Sequence, residues 1–176
     1  TDQGPLISMR QRDSVHGYVQ QAVAAGATVV CGGVLPGGDL AEGSYYPPTL
    51  VVGAAQDSQI VQEELFGPVL VVLPFDSDDE GIALANDVPF GLAASAWTTN
   101  TFRAQRASRE IAAGCVWIND HIPIVSEMPH GGYKASGFGK DMSLYSLEEY
   151  TNIKHVSADI TGEVRKDWHR TIFGDR

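Results

Sequence analysis

Apolar positions along this chain alternate between two spacings. Over residues 12–25, Val15, Tyr18 or Val19, and Ala22 fall on one face of a helix, and Gly26 follows as a stop. The β-branched run Thr28–Cys31 reads as a short strand ended by Gly32-Gly33, and residues 35–43 read as a loop rich in glycine and proline. Residues 46–52 read as extended, with Pro47-Pro48 suited to an edge position because proline cannot donate to a ladder. The segment 69–75, VLVVLPF, is apolar throughout, the mark of a strand covered on both faces.

The second half repeats the alternation. Asp76 or Ser77 can cap a helix reaching Asn86, with Asp78, Asp79 and Glu80 near its positive end. A strand over 92–98 follows, then a helix over 101–113 capped by Asn100 or Thr101 and closed by Gly114. Residues 115–119 form the next strand, followed by a long loop, a short helix near 143–150 and a last strand over 152–157. This order predicts an α/β fold with a mainly parallel sheet flanked by helices. Ligands in such folds sit beyond the carboxyl ends of strands, so the loop 119–139 is the first place to look for a site.

Composition narrows the classes. The chain has 176 residues, a net charge of −10 and no basic block, which argues against a phosphate backbone as partner. No apolar run reaches the roughly 20 residues of a membrane span, and the start TDQGPLISMR does not resemble a signal peptide. Thr1 in place of Met suggests a true N-terminus further upstream. Two cysteines, Cys31 and Cys115, are too few for a disulfide framework; they suit a reducing cytoplasm and read as buried strand residues. The five histidines are scattered singly, without the spacing of a metal site.

Three motifs carry candidate chemistry. GGYKASGFGK, residues 131–140, lacks both the phosphate-loop spacing and a G-x-G-x-x-G, so its glycines read as a tightly turning loop. Neither cysteine has a partner in sequence that would activate it as a nucleophile. VQEELFGPVL, residues 61–70, sets Glu63 and Glu64 beside Leu65-Phe66 and a Gly-Pro turn. Glu63 suits helix capping, whereas Glu64 beside an aromatic suits a nucleoside, with acid to ribose hydroxyls and ring to base.

Five stretches, GPLIS at Gly4, QEELFGPV at Gln62, ANDVPFGLAASAWT at Ala85, AGCVWIND at Ala113 and EMPHGGYKASGFGKD at Glu127, together resemble the aldehyde dehydrogenase superfamily in family order. Within it, the segment from Val125 to Val156 looks most like aminobutyraldehyde and betaine aldehyde dehydrogenases. The resemblance implies that Glu64 accepts the nicotinamide ribose hydroxyls of NAD or NADP, that Phe66 lies against the nicotinamide, and that Leu92 sits nearby. It implies that residues 120–130 line the substrate tunnel, with Ile124 and His130 where aromatics are common, and that Glu127 or Asp120 could attract a cationic aldehyde. Asp141 matches an acid near the catalytic base, a candidate proton relay.

The family's nucleophilic cysteine, general base, oxyanion donor and dinucleotide-binding half lie upstream of GPLIS. The resemblance therefore implies that residues 1–150 are the C-terminal portion of a catalytic domain, 151–158 an oligomerisation strand and 159–176 a tail. On that reading the partners are a small aldehyde, the N-terminal half of the subunit and further copies in a dimer or tetramer, and the chain alone is inactive. The competing reading is a non-catalytic module for oligomerisation or binding.

Overall fold

The computed structural model describes residues 3–164 and 166–174. Thr1, Asp2, Arg165, Asp175 and Arg176, parts of the expected catalytic portion and tail, lie outside the described residues. Ser8 opens the first helix, α1 (Met9–Ala24), its hydroxyl accepting from the Gln11 N–H at 3.2 Å. The helix thus begins three residues before the expected Arg12, because the cap lies upstream of the apolar face. It ends as expected before Gly26, whose φ of +103° lets the chain turn away.

The inner face of α1 puts Val15, Val19 and Ala22 against Ala27, Tyr46, Val51 and Ile60, forming the core of this half. Val15, Val19 and Val51 are fully buried, and each contributes about 1.5–3 kcal/mol through loss of apolar surface. Arg12 is buried on the same helix, its guanidinium donating to the carbonyls of Ala41 and Gly43 at 3.2 Å. Asp13 accepts from it at 2.7 Å, which compensates the cost of burying the cation.

Strand β1 (Thr28–Cys31) pairs antiparallel with β2 (Thr49–Val52), which pairs parallel with β3 (Val69–Val72). Strand β2 is therefore central, and the edge role expected for residues 46–52 is corrected. Pro47 and Pro48 precede the ladder, which starts at Thr49 with its N–H donating to the Pro68 carbonyl at 2.8 Å. A single helical turn, α2 (Gln59–Gln62), joins β2 to β3. Val69 and Val71 face the core while Leu70 and Val72 stay 64% and 45% exposed, so β3 is covered on one face and not on two.

In the second half, Ser77 caps α3 (Asp78–Asn86) as expected, accepting from the Glu80 N–H at 3.2 Å. Strands β4 (Phe90–Gly91) and β5 (Ala93–Ala96) lead into α4 (Thr101–Glu110), capped by the Asn100 side chain. Helix α4 stops short of Gly114 because Ile111 turns extended, at ψ 122°. Strand β6 (Cys115–Ile118) pairs parallel with β5, and β7 (Tyr133–Lys134) pairs antiparallel with β4. Arg103 reaches Asp78 and Arg106 reaches Asp79, both at 2.7 Å, tying α4 to α3. Arg106 also holds the Glu110 carboxyl below its ordinary range by hydrogen bonding to it. Helices α5 (Ser143–Glu149) and α6 (Asp167–Phe173) follow.

The fold is α/β, but in place of the one mainly parallel sheet expected the described residues form three small sheets, with two parallel and two antiparallel pairs. Residues 152–157 form no strand; they run without regular structure and exposed, since no sheet edge among the described residues lies alongside. The two cysteines also depart from expectation: Cys31 is exposed on the outer strand β1 and Cys115 is half-buried. No helix among the described residues is long and apolar enough to cross a membrane.

Candidate functional site

The Glu63–Gly67 turn joins α2 to β3, and its shape comes from several local constraints. Glu63 is the C-cap residue of α2, and its carboxylate accepts from the Tyr18 hydroxyl at 2.5 Å. Phe66 has a φ of +52°, a left-handed conformation that costs a non-glycine residue about 1–2 kcal/mol. Gly67 lies so close to α1 that a Cβ there would come within 2.6 Å of Val15 Cγ2. Among the described residues the Glu64 carboxylate forms no hydrogen bond or ion pair. It lines a cleft of about 490 Å³ whose other walls include Phe90, Gly91, Leu92, Ala112 and Ser136.

The structure thus brings together Glu64 and Leu92, which the family resemblance implies to lie on one nucleoside. Phe66 is not a wall of that cleft; its ring stands 74% exposed on the next turn of chain. The glycine-dense segment 131–140 closes the far side. Gly91 N–H donates to Ser136 Oγ at 3.0 Å, and Lys134 Nζ donates to the carbonyls of Asn86 and Val88 at 2.7 and 3.1 Å. Lys140 lies 5.0 Å from the centre of the Tyr133 ring and donates to the Gly131 carbonyl at 3.2 Å. Both lysines are bonded to main-chain oxygens, as a loop built for tight turning requires.

A second cleft, about 350 Å³, lies between β6 and the loop that follows it. Ile124 and His130 line it, together with Cys115, Trp117 and Met128. Glu127 does not; it is exposed and accepts from the Ser126 hydroxyl at 3.2 Å. Asp120 is exposed as well and accepts from the His121 N–H at 2.8 Å. His130 Nδ1 stands 2.7 Å from Asp141 Oδ1, and the two main chains form a bridge. Two residues expected in separate roles are therefore one pair. Among the described residues no group of three or more His, Cys, Asp or Glu could hold a metal ion.

Some contacts had no signal in the sequence. Gln11 donates through Nε2 to the carbonyls of Leu65 and Phe66 at 2.7 and 3.2 Å, from more than fifty residues away. Ser95 Oγ pairs with His121 Nδ1 at 2.8 Å, and the His121 ring meets Trp117 edge-on. Only the helical spacing of Gln11 and Tyr18 with Val15 could have drawn attention to that face of α1.

The sequence pattern of the aldehyde dehydrogenase family matches residues 1–156. The chain belongs to the aldehyde dehydrogenase family. It is 46% identical over 155 residues to a 2-hydroxymuconic semialdehyde dehydrogenase of Pseudomonas putida, covering 87% of this chain and 32% of that protein. It is 44% identical over 157 residues to a betaine aldehyde dehydrogenase of Bacillus subtilis (strain 168), covering 89% of this chain and 32% of that one. The chain therefore spans about a third of the length of the curated relatives it matches.

Solved structures agree. A betaine aldehyde dehydrogenase of Staphylococcus aureus in complex with NAD+ superposes with a TM-score of 0.79 at 40% identity, over 84% of this chain and 29% of that one. An NAD-dependent aldehyde dehydrogenase of Sinorhizobium meliloti gives 0.80 at 42%, over 86% and 30%.

Proposed function

We propose that this chain is the C-terminal portion of the catalytic domain of an NAD(P)-dependent aldehyde dehydrogenase, which oxidises an aldehyde to the carboxylate through a thiohemiacetal. The aldehyde we favour is an aminoaldehyde such as 4-aminobutanal. The attacking cysteine and most of the cofactor domain would come from the rest of the subunit, so the isolated chain would be inactive. The observation that carries the reading is the free Glu64 carboxylate on the wall it shares with Leu92.

An unpaired carboxylate at the edge of a mainly apolar cleft fits a ribose diol, which offers two donors and a flat neighbour. Glu64 would hold that sugar, Leu92 would pack beside the nicotinamide, and Phe66 would cover it from the adjoining turn. When bound, NAD(P) would supply the acceptor for the hydride that the aldehyde carbon gives up. Ile124 and His130 would shape the substrate wall, and the His130–Asp141 pair would hold or pass a proton at its rim. Glu127 and Asp120 stand outside the cleft wall, as acids that would draw a cationic aldehyde from solution rather than bind it.

Residues 151–158, exposed and in no ladder here, would complete a sheet of another copy in a dimer or tetramer. A reducing, cytoplasmic setting suits a family whose nucleophile is a thiol.

The test is Glu64→Gln in the complete subunit, with NAD+ and NADP+ affinity read by titration. Loss of the charged acceptor should weaken the preferred cofactor by about tenfold or more. Unchanged affinity for both would overturn the assignment of the cleft.

A further inference from the structure

One face of α1 touches the Glu63–Gly67 turn at three levels. Gln11, Val15 and Tyr18 stand at helical i, i+4 and i+7 and so share a face. Tyr18 donates its hydroxyl to Glu63 at 2.5 Å. Val15 is fully buried and leaves room for no side chain at Gly67, where a Cβ would sit 2.6 Å from Cγ2. Gln11 bonds two successive carbonyls, Leu65 at 2.7 Å and Phe66 at 3.2 Å. Successive carbonyls meet one donor only where the chain is sharply bent, and here the bend is the positive φ of Phe66, +52°. The amide of Gln11 therefore offsets part of the strain that a non-glycine residue carries in that conformation. Glu64, in the middle of this held segment, is left with its carboxylate free on the cleft wall.

We infer that the Gln11–Val15–Tyr18 face of α1 is a positioning device for the cofactor-binding turn, holding Glu64 and Phe66 in the arrangement that meets the nicotinamide riboside. This rests on the reading of the Glu64 cleft given above. All three α1 side chains contact the turn itself, and it is through the turn that they would act. Helix packing alone explains Val15. It does not explain a side-chain amide spent on two carbonyls of one strained turn.

The experiment is a double-mutant cycle in the complete subunit, using Gln11→Leu, Glu64→Gln and the pair, with NAD+ affinity measured by titration and aldehyde KM alongside. Gln11→Leu should weaken NAD+ about five- to tenfold, the effect of one lost hydrogen-bonding group, and leave aldehyde KM within about twofold. The double variant should bind NAD+ no worse than Glu64→Gln alone, because the turn matters only through the acid it presents. Gln11→Leu binding as tightly as the parent, or losses that multiply in the pair, would overturn the inference while leaving the cleft assignment standing. If Glu64→Gln itself binds normally, the cleft assignment fails and this inference fails with it. Should Gln11→Leu not fold, Tyr18→Phe removes the half-exposed contact at the other end of the same face, and the same cycle applies.

Discussion

His130 and Asp141 are joined twice: Nδ1 of the one stands 2.7 Å from Oδ1 of the other, and their main chains exchange hydrogen bonds of 3.0 and 2.8 Å. The ring is three-quarters covered and lines the second cleft, while the carboxylate is mostly in water. The main-chain bridge survives a change of the Asp141 side chain, so Asp141→Ala isolates the ring–carboxylate contact. In the complete subunit this change should lower kcat about tenfold or more, the range of a positioned proton-transfer group, with cofactor KM within about twofold. An equal loss on the cofactor side, with kcat untouched, would overturn the proposed proton-handling role of the pair.

Gly114 and Gly131 meet backbone to backbone. A Cβ at Gly114 would come 1.6 Å from the Gly131 carbonyl oxygen, next to the His130–Asp141 bridge and the Lys140 contact. The atoms met there, the Gly131 carbonyl and the Leu92 carbonyl oxygen, are main chain, so relief requires the backbone to move. Gly114→Ala should therefore cost about 2 kcal/mol or more, read as a lower melting temperature. Gly17 is the control: it lies inside α1 with open space around its Cβ. Gly17→Ala should stabilise by roughly 0.5–1 kcal/mol through helix propensity. A Gly114→Ala protein that melts with the parent would contradict the close approach.

Tyr18 carries a pH signature. Its hydroxyl is raised above the ordinary value of 10.0, first by donating to Glu63, then by desolvation and by the nearby carboxylate charge. A folded value above the unfolded one means the contact is whole below the unfolded pKa, about 10, and is lost as pH rises through the folded value. The stability difference between the parent and Tyr18→Phe should hold level from about pH 7 to 9 and narrow only above about 10. Thermal melts across that range decide it; a difference that has already gone by about pH 9 would sink the assignment.

Most elements were legible because their signals are local. The caps Ser77 and Asn100, the stop at Gly26 and the apolar face Val15–Val19–Ala22 each act within one turn of helix. The early start of α1 carries little signal because the turn that Ser8 caps has Met9 as its one apolar residue, and Met9 is exposed. The place of β2 was misread because Pro47-Pro48 marks where a ladder begins, and says nothing about what flanks the residues after it. The family resemblance brings Glu64 and Leu92 together, but the geometry that leaves Glu64 unpaired has no local signal. Gln11 and Tyr18 act on residues 45 to 55 positions away, and no periodicity carries that information. The strand expected over 152–157 does not form because no sheet edge among the described residues lies alongside it, and no local property of the segment encodes that.

The alternation on β3 sets the last prediction. Val69 and Val71 face the core, whereas Leu70 and Val72 present an apolar stripe to water on the outer strand of the first sheet. An exposed apolar edge strand is a template for pairing with another copy. The 176-residue chain should therefore self-associate with rising concentration, and Leu70→Lys should suppress this while leaving the melting temperature within a few degrees. Val71→Lys, on the opposite face, sets a cation against the core that Val71 partly covers and should lower the melting temperature well below that of Leu70→Lys. Light scattering over a concentration series separates the outcomes. If Leu70→Lys associates as strongly as the parent, the sticking surface lies elsewhere, with the exposed Leu144, Leu147 and Tyr150 of the α5 region the next residues to change.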